Sequence, residues 1–240
     1  MKLLDKLTIK IFADGADLDV IRTLAGHPLV KGFTTNPTVM RKADVDDYEA
    51  FAKAVLAAVD GQPVSFEVFA DDFDTMERQA RKIATWGDNV TVKIPVTNTK
   101  REFSGPLITR LTEAGVQVNV TAILTLDQVR KVAAALAPET PAVVSVFAGR
   151  IADTGRDPVP VMREALSLLE SKPKAELLWA SSREILNVFQ ADAIGCHIIT
   201  VTRDVLGKLS LIGKDLAEYS LETVKMFHDD AAGAGYAIKT

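Results

Sequence analysis

Eight short runs rich in β-branched and aromatic residues alternate along this chain with longer amphipathic segments. Such alternation predicts strands and helices in turn, and a count of eight favours a closed (β/α)8 barrel over an open doubly wound sheet. The helical periodicity is clearest in residues 47–59, 74–87, 105–115 and 157–171. The predicted strands are residues 7–14, 30–36, 63–70, 89–96, 116–123, 142–149, 175–181 and 196–202. The expected fold is an α/β TIM barrel with an additional C-terminal helix.

The 240-residue chain contains no linker, low-complexity tract or charge block, so we expect one domain over residues 1–240. No GxGxxG motif follows a predicted strand, which disfavours a dinucleotide-binding fold. Residues 203–240 should form the last helix and a C-terminal helical extension with a glycine-broken tail. Two interpretations of this extension stay open: a cap on one end of the barrel, or a contact with a neighbouring subunit.

The composition narrows the classes of partner. The net charge is −4 and no run of like charges occurs, so we expect neither nucleic acid nor an anionic membrane as a partner. Charged residues interrupt every apolar run of the first 15 positions, which argues against a signal peptide or anchor and predicts a cytoplasmic protein. One cysteine and three scattered histidines predict no internal disulfide and no metal site. Small molecules are the expected partners.

Polar side chains in the predicted strands share one parity. Side chains two residues apart lie on one face of a strand, and inward side chains at the C-terminal strand ends form a barrel's active site. Each polar residue alone has an ordinary structural explanation, but barrel interiors are normally filled by Val, Ile and Leu, so their convergence predicts function. From seven successive strands they are Asp14, Thr34, Asn36, Glu67, Lys93, Asn119, Thr121, Ser145 and Ser181. Lys10 shares this parity but lies lower, and is a candidate for a structural ion pair at the barrel floor.

Lys93 is the residue that points to a reaction. An uncompensated ammonium inside a protein core is costly, so a lysine here should be paired, neutralised or used in chemistry. A buried lysine between the carboxylates of Asp14 and Glu67 suggests attack of an amine on a carbonyl, with the iminium then serving as an electron sink. Desolvation favours the neutral amine and the two carboxylates favour the ammonium, so its charge state stays open. The predicted chemistry is a class I aldol cleavage.

Five motifs follow one another in order along the chain. They are GFTTNPTVM (residues 32–40), VKIPVT (92–97), VNVTAI (118–123), SVFAGRIAD (145–153) and ASSREI (180–185). Together they resemble the transaldolase family, including its short members and the fructose 6-phosphate aldolases. The resemblance runs from Asp14 to about residue 202 and continues more loosely into the tail. It implies a (β/α)8 barrel with a Schiff base on Lys93 that needs no cofactor and no metal ion.

The resemblance also implies roles for individual residues. Asp14 resembles the acid/base that handles the C4 hydroxyl of the sugar during cleavage. Glu67 resembles the carboxylate that moves protons through a water molecule held with Thr121. Hydrogen-bond partners of the dihydroxyacetone part are expected at Thr34, Asn36, Asn119 and Ser145.

A phosphate site is expected at the barrel mouth. Arg150 and Arg183, with Ser181, resemble the residues that bind the sugar phosphate in the family. Two arginines just past strands six and seven also suit a dianionic phosphate on chemical grounds. Family members usually carry an aromatic residue between the Ser and the Arg of the fifth motif, and Ser182 stands there in this chain. This departure leaves the shape of the acceptor and the preferred sugar phosphate open.

The pattern within the family favours a transaldolase over a free aldolase. Transaldolases carry Glu and Phe where this chain has Glu67 and Phe147, whereas fructose 6-phosphate aldolases tend to have Gln and Tyr. Free aldol cleavage that releases dihydroxyacetone is the alternative activity. A sugar-phosphate-binding barrel without catalysis is the alternative from another class. Because short members form pentamer-based rings, the resemblance also implies a homo-oligomer, either a pentamer or a decamer.

Overall fold

A computed structural model describes residues 3–238, and its eight parallel strands close into a barrel in sequence order. The strands are β1 Lys10–Asp14, β2 Val30–Thr34, β3 Val64–Glu67, β4 Val90–Pro95, β5 Val118–Ile123, β6 Ala142–Val146, β7 Ala175–Trp179 and β8 Ile198–Thr202. The first strand pairs with both the second and the eighth, which closes the sheet. The predicted (β/α)8 barrel is confirmed.

Helices alternate with the strands along the chain, and two more α-helices follow the last strand in the sequence. They are α1 Leu18–Ala25, α2 Pro37–Lys42, α3 Tyr48–Ala58, α4 Phe73–Ala84, α5 Gly105–Glu113, α6 Leu126–Ala135, α7 Ala148–Asp153, α8 Pro158–Leu169, α9 Leu186–Ala193, α10 Arg203–Gly207 and α11 Leu216–Gly233. Several helices begin at an aspartate whose carboxylate accepts backbone N–H groups of the first turn, as Asp17 and Asp157 do. The additional C-terminal helix is thus present.

Apolar side chains fill the barrel wall and much of the interior, where Ser65 and Thr91 are polar exceptions. Phe66 and Trp179, which point away from the barrel axis, are fully buried. Inside the barrel, the ring of Phe12 lies against Gly32, where a Cβ atom would come within 2.6 Å of it. The interior cluster comprises Phe12, Val143, Leu178, Ala180 and Ile198. This cluster forms an apolar floor beneath the polar residues at the C-terminal strand ends.

Lys10 is paired away from the polar residues. Its Nζ lies 2.5 Å from a carboxylate oxygen of Glu176, and both side chains are roughly two-fifths exposed. The interpretation of Lys10 as a structural ion-pair member is confirmed. Such an exposed pair contributes only about 0–1 kcal/mol to stability.

Five predicted strands, the second, third, fourth, sixth and seventh, extend one to three residues too far at their C-terminal ends. The sixth ends at Val146 rather than residue 149, because Phe147 already precedes helix α7. The second ends at Thr34 rather than residue 36, because the Asn36 side chain accepts the N–H groups of Thr38 and Val39 and so begins helix α2. In both cases only one or two residues separate the strand from the next helix. The alternation of polar and apolar residues does not show where such a strand ends.

The chain contacts divide the molecule into two compact units. One is the barrel, Thr8–Gly207, and the other contains residues 3–7 and 208–238. In the second unit, helix α11 exposes large apolar side chains, with 80% of Leu216, 59% of Val224 and 63% of Phe227 accessible to solvent. The expectation of one domain over residues 1–240 stays a prediction. None of the helices within residues 3–238 has the length and hydropathy of a membrane-crossing helix.

Candidate active site

A cavity of about 440 Å³ lies at the C-terminal ends of the strands, where barrel enzymes hold their substrates. Parallel pairing brings these strand ends together although the residues are far apart in sequence. The lining contains all twelve residues selected from the sequence, which are Asp14, Thr34, Asn36, Glu67, Lys93, Asn119, Thr121, Ser145, Phe147, Arg150, Ser181 and Arg183.

Lys93 lies inside the barrel on β4, in register with Glu67 of β3 and Asn119 of β5. Only 6% of the residue is exposed. Its Nζ donates a 2.7 Å hydrogen bond to the backbone carbonyl of Thr35 and lies 3.3 Å from Oε2 of Glu67. One carbonyl and one carboxylate therefore compensate this buried amine.

Asp14 ends β1 and is held by two polar neighbours. Thr34 donates to its Oδ1 at 2.7 Å, and Asn36 donates to its Oδ2 at 3.2 Å. Thr200 lies 2.6 Å from the Thr34 hydroxyl. Burial raises the pKa of the Asp14 carboxyl above its ordinary value of 3.8, against the opposing effects of Thr34, the Lys93 charge and Asn36. A carboxyl in this setting is suited to take up and release a proton.

A hydrogen-bonded chain of side chains fixes Asn119. The Ser145 hydroxyl donates to Oδ1 of Asn119 at 2.6 Å, and Nδ2 of Asn119 donates to Oγ of Ser65 at 3.0 Å. Ser65 in turn lies 2.7 Å from the Thr91 hydroxyl. Because every link is at least half-buried and satisfied, the amide of Asn119 is held in one orientation at the cavity wall.

Thr121 presents a hydroxyl that lacks a hydrogen-bond partner within residues 3–238, although it is fully shielded. The backbone beside it is irregular: the pairing of β5 with β6 shifts register between Val120 and Ile123, and Ala122 adopts a φ of 61°. Such a bulge redirects side chains at functional sites. A buried hydroxyl of this kind suits a water molecule or a substrate oxygen in the cavity.

Two arginines lie at the mouth of the cavity. Arg183 forms a bidentate ion pair with Asp153, through Nε at 2.9 Å and through Nη2. The guanidinium of Arg150 lies 5.6 Å from the ring centroid of Phe147. Helix α7 approaches this region so closely that a Cβ on Gly149 would lie 1.6 Å from the carbonyl oxygen of Ser181.

Strand alternation does not explain why Ser181 lines the cavity. Leu178 and Ala180 occupy the inward parity of β7, so Ser181 has the parity of the outward Trp179. The strand ends at Trp179, and Ser181 adopts a φ of 65°, which redirects the chain. Ser181 therefore lines the cavity because of this loop and not because of the strand.

Comparison with known proteins agrees with this geometry. Residues 11–238 match the model of the family described as Transaldolase/Fructose-6-phosphate aldolase. This chain belongs to the transaldolase/fructose-6-phosphate aldolase family. It is 35% identical over 202 residues to a "Probable transaldolase" of Methanococcus maripaludis strain C7, with 84% of this chain and 89% of the relative covered. It is 36% identical to "Probable transaldolase 2" of Listeria monocytogenes, with 84% and 88% covered.

Solved structures support the fold alone. A putative lyase/mutase from Burkholderia cenocepacia J2315 superposes with a TM-score of 0.58 at 15% identity, covering 86% of this chain and 80% of that one. KGPDC from Streptococcus mutans superposes with a TM-score of 0.56 at 9% identity, covering 83% and 89%. At such low identity these likenesses describe the barrel and carry no statement about activity.

The sequence analysis missed three residues that complete the site of this family member. Thr200 and Thr202 on β8 line the cavity, and the eighth strand shows the same alternation of polar and apolar residues as the others. The alternation of β8 therefore predicts that both threonines face the cavity. Tyr48 hydrogen-bonds the backbone of Glu67 from the first turn of α3, and strand alternation gives no signal for it.

The arrangement suits covalent chemistry on a carbonyl. A buried amine with a carboxylate beside it and a second carboxylate across the cavity supplies a nucleophile and two proton carriers. Within residues 3–238, no group of three or more His, Cys, Asp or Glu side chains is placed to hold a metal ion. The single cysteine, Cys196, is buried elsewhere, and burial raises the pKa of its thiol to about 12.

Proposed function

We propose that this protein is a transaldolase that moves a dihydroxyacetone unit between sugar phosphates through a Schiff base on Lys93. The observation that carries the proposal is the position of the Lys93 amine, shielded inside the barrel and 3.3 Å from Glu67. Fructose 6-phosphate or sedoheptulose 7-phosphate is the proposed donor, and an aldose phosphate such as erythrose 4-phosphate is the acceptor. Membership of the family supports this choice of substrates.

In the first step, the neutral Lys93 amine attacks the C2 carbonyl of the ketose. The carbonyl oxygen takes up a proton to give a carbinolamine, which then loses water to form an iminium ion. Glu67 moves these protons through a water molecule held by the unpartnered Thr121 hydroxyl. The Thr35 carbonyl keeps the amine aimed into the cavity before the reaction.

Cleavage of the sugar follows from the iminium. Asp14 takes the proton of the C4 hydroxyl, the bond between C3 and C4 breaks, and its electron pair moves to the iminium to give an enamine. The aldehyde that forms at C4 leaves as an aldose phosphate. Asp14 suits this role because burial favours its protonated form while Thr34 and Asn36 stabilise the carboxylate.

The second half-reaction runs these steps in reverse on a new acceptor. The enamine carbon attacks the acceptor aldehyde, the new alkoxide takes the proton from Asp14, and water hydrolyses the iminium to release the product and Lys93. Arg150 and Arg183 bind the phosphate, with Ser181 beside them at the cavity mouth. Asn119 and Ser145 hydrogen-bond the dihydroxyacetone part from the cavity wall.

Free aldol cleavage is the alternative activity, because the first half-reaction is common to both. Phe147 supports transfer: its ring packs on the apolar floor and offers no hydroxyl that could hold a water molecule at the enamine. Product formation from fructose 6-phosphate should therefore depend on added erythrose 4-phosphate. Equal cleavage rates with and without the acceptor, accompanied by free dihydroxyacetone, would favour the aldolase.

Replacement of the lysine tests the catalytic proposal itself. Lys93→Met should lose transfer activity by at least about 1000-fold, because the covalent route is removed. Lys10→Met removes another strand lysine from the same barrel, at the floor, and should keep its activity. Binding of the sugar phosphate by calorimetry, without any turnover in the wild type, would instead support a barrel that binds without catalysis.

We further propose that the protein forms a homo-oligomer, a pentamer or a decamer. The exposed apolar side chains of α11, including Leu216, Val224 and Phe227, support an interface between copies. The substrates remain small sugar phosphates, and nucleic acid and membrane are not proposed as partners. A cytoplasmic location stays a prediction.

A further inference from the structure

The ladder of backbone hydrogen bonds between the parallel strands β2 and β3 stops beside Glu67. Phe33 donates to the carbonyl of Pro63, and Thr35 donates to the carbonyl of Ser65 at 3.2 Å. In a parallel ladder, the next links would join the Glu67 N–H to the Thr35 carbonyl, and the N–H of residue 37 to the Glu67 carbonyl. Residue 37 is a proline and has no N–H.

Tyr48 supplies both missing links with one hydroxyl. Its oxygen accepts the Glu67 N–H at 2.7 Å, and its O–H donates to the Glu67 carbonyl at 3.1 Å. The hydroxyl thus takes the place of the neighbouring strand at this residue. Burial raises the pKa of Tyr48 above its ordinary value of 10.0, so the hydroxyl keeps the proton that it donates.

Because the Tyr48 hydroxyl takes the place of the neighbouring strand, the Thr35 carbonyl is left without its ladder hydrogen bond from Glu67. That carbonyl would be the acceptor for Glu67 in a continued ladder, and it instead accepts the Lys93 Nζ at 2.7 Å. Tyr48 therefore acts on both members of the Lys93–Glu67 pair, although its own side chain is absent from the cavity lining.

Aromatic neighbours hold the Tyr48 ring in place. Its centroid lies 4.6 Å from that of Phe69, 5.4 Å from that of Trp86 and 6.1 Å from that of Phe66. The contacts with Phe66 and Trp86 are edge-to-face, a favourable geometry for aromatic pairs. A ring fixed in this way presents its hydroxyl to the Glu67 backbone in one position.

We infer that Tyr48 is a positioning residue for the reaction: its hydroxyl fixes Glu67 and reserves the Thr35 carbonyl for Lys93. This inference rests on the proposed function, in which Lys93 and Glu67 carry the chemistry. Loss of the hydroxyl leaves the Glu67 N–H without a partner, and that N–H then competes with Lys93 for the Thr35 carbonyl. The effect should fall on the chemical step and not on substrate binding.

Kinetics of Tyr48→Phe test the inference. We expect kcat to fall roughly 10- to 100-fold, the scale of a small misplacement of reacting groups, with KM within about threefold of wild type. The rate of borohydride-trapped adduct formation at saturating fructose 6-phosphate should fall in parallel. Trp86→Phe disturbs the same aromatic cluster but keeps the hydroxyl, and Tyr236→Phe removes an exposed hydroxyl in the tail; both should retain wild-type kcat.

A purely structural Tyr48 gives a different pattern. In that case Tyr48→Phe and Trp86→Phe would both lower the unfolding midpoint and leave kcat unchanged, which would overturn the inference. A crystal structure of Tyr48→Phe gives a readout that is independent of turnover. It should show Glu67 N–H directed at the Thr35 carbonyl and Lys93 Nζ displaced from it. An unchanged Lys93–Thr35 bond would also contradict the inference, whereas absence of any adduct in the wild type would overturn the proposed function instead.

If Tyr48→Phe does not fold, a second variant tests the inference. Incorporation of p-aminophenylalanine at position 48 keeps the size of the ring and a donor for the Glu67 carbonyl, so the fold should be retained. Its aryl nitrogen is a poor acceptor for the Glu67 N–H. We expect a reduced kcat at unchanged KM, and a wild-type kcat would contradict the role of Tyr48.

Discussion

At the scale of single residues, Asp14 links activity to stability. Burial raises the pKa of the Asp14 carboxyl above 3.8, so folding favours the protonated form relative to the unfolded chain. The stability from this group is therefore present below pH 3.8 and is lost as the pH rises through the raised pKa. Above the raised pKa, the folded protein carries an ionised carboxylate in an unfavourable place.

Asp14→Asn removes that unfavourable charge and keeps an acceptor for Thr34 and Asn36. We expect its unfolding midpoint at pH 7 to exceed that of wild type, while its transfer activity falls at least about 100-fold. The stability difference should shrink as the pH falls toward 4. Thermal unfolding at several pH values, together with the transfer assay, measures both effects. A variant that is less stable than wild type at pH 7 would show that the hydrogen bonds of Asp14 outweigh its desolvation.

The two arginines should act on binding of the phosphate and not on the covalent steps. Arg150→Ala and Arg183→Ala should each raise KM for the phosphorylated donor about tenfold or more, since each removes a charged hydrogen-bond donor. Their KM values for unphosphorylated fructose should stay at the wild-type level. Arg163→Ala, an exposed arginine on α8, is the matched control. A loss of kcat with unchanged KM would show instead that these arginines act in the covalent steps and not in phosphate binding.

At the scale of secondary structure elements, the short helix α7 depends on a glycine. Gly149 lets the first turn of α7 lie against the backbone of Ala180 and Ser181, and its N–H donates to the Ala180 carbonyl at 3.3 Å. A Cβ placed 1.6 Å from the Ser181 carbonyl oxygen requires the backbone to move. The strand end that presents Ser181 and Arg183 would then shift.

Gly149→Ala should therefore destabilise the protein by about 3 kcal/mol and raise KM for the phosphorylated donor. Denaturant unfolding and steady-state kinetics measure the two consequences. Gly233→Ala, near the end of α11, places its new methyl group in open space and should leave both unchanged. Wild-type stability of Gly149→Ala would mean that α7 can move away from β7 at little cost.

Periodicity located the elements but not their ends. Alternation in VTVKIP was sufficient to predict that Lys93 points inward, because the strand is regular throughout. It placed Asn36 on the correct face but did not reveal the helix cap there, and it failed at Ser181, where a positive φ determines the direction of the side chain. It gave no indication of Tyr48, since a side chain that replaces a strand neighbour depends on where another strand ends. These features arise from tertiary contacts that a pattern of two or 3.6 residues does not encode.

At the scale of the whole molecule, the apolar surface of α11 predicts assembly. Light scattering should give a mass of five or ten chains of 26.0 kDa. Phe227→Asp, together with Val224→Asp, should shift the mass toward smaller species, because each places a charge in the proposed interface. Glu218→Lys changes the charge of the same helix at its exposed first turn and serves as a control. A monomeric wild-type protein would contradict the proposed assembly.

The central claim is that the Lys93 amine forms a covalent bond with the ketose. Borohydride reduction in the presence of fructose 6-phosphate, followed by peptide mass spectrometry, measures this bond directly. We expect one stable adduct, on the peptide that contains Lys93, and none on Lys10. An active enzyme that yields no adduct, or an adduct confined to another lysine, would contradict the account.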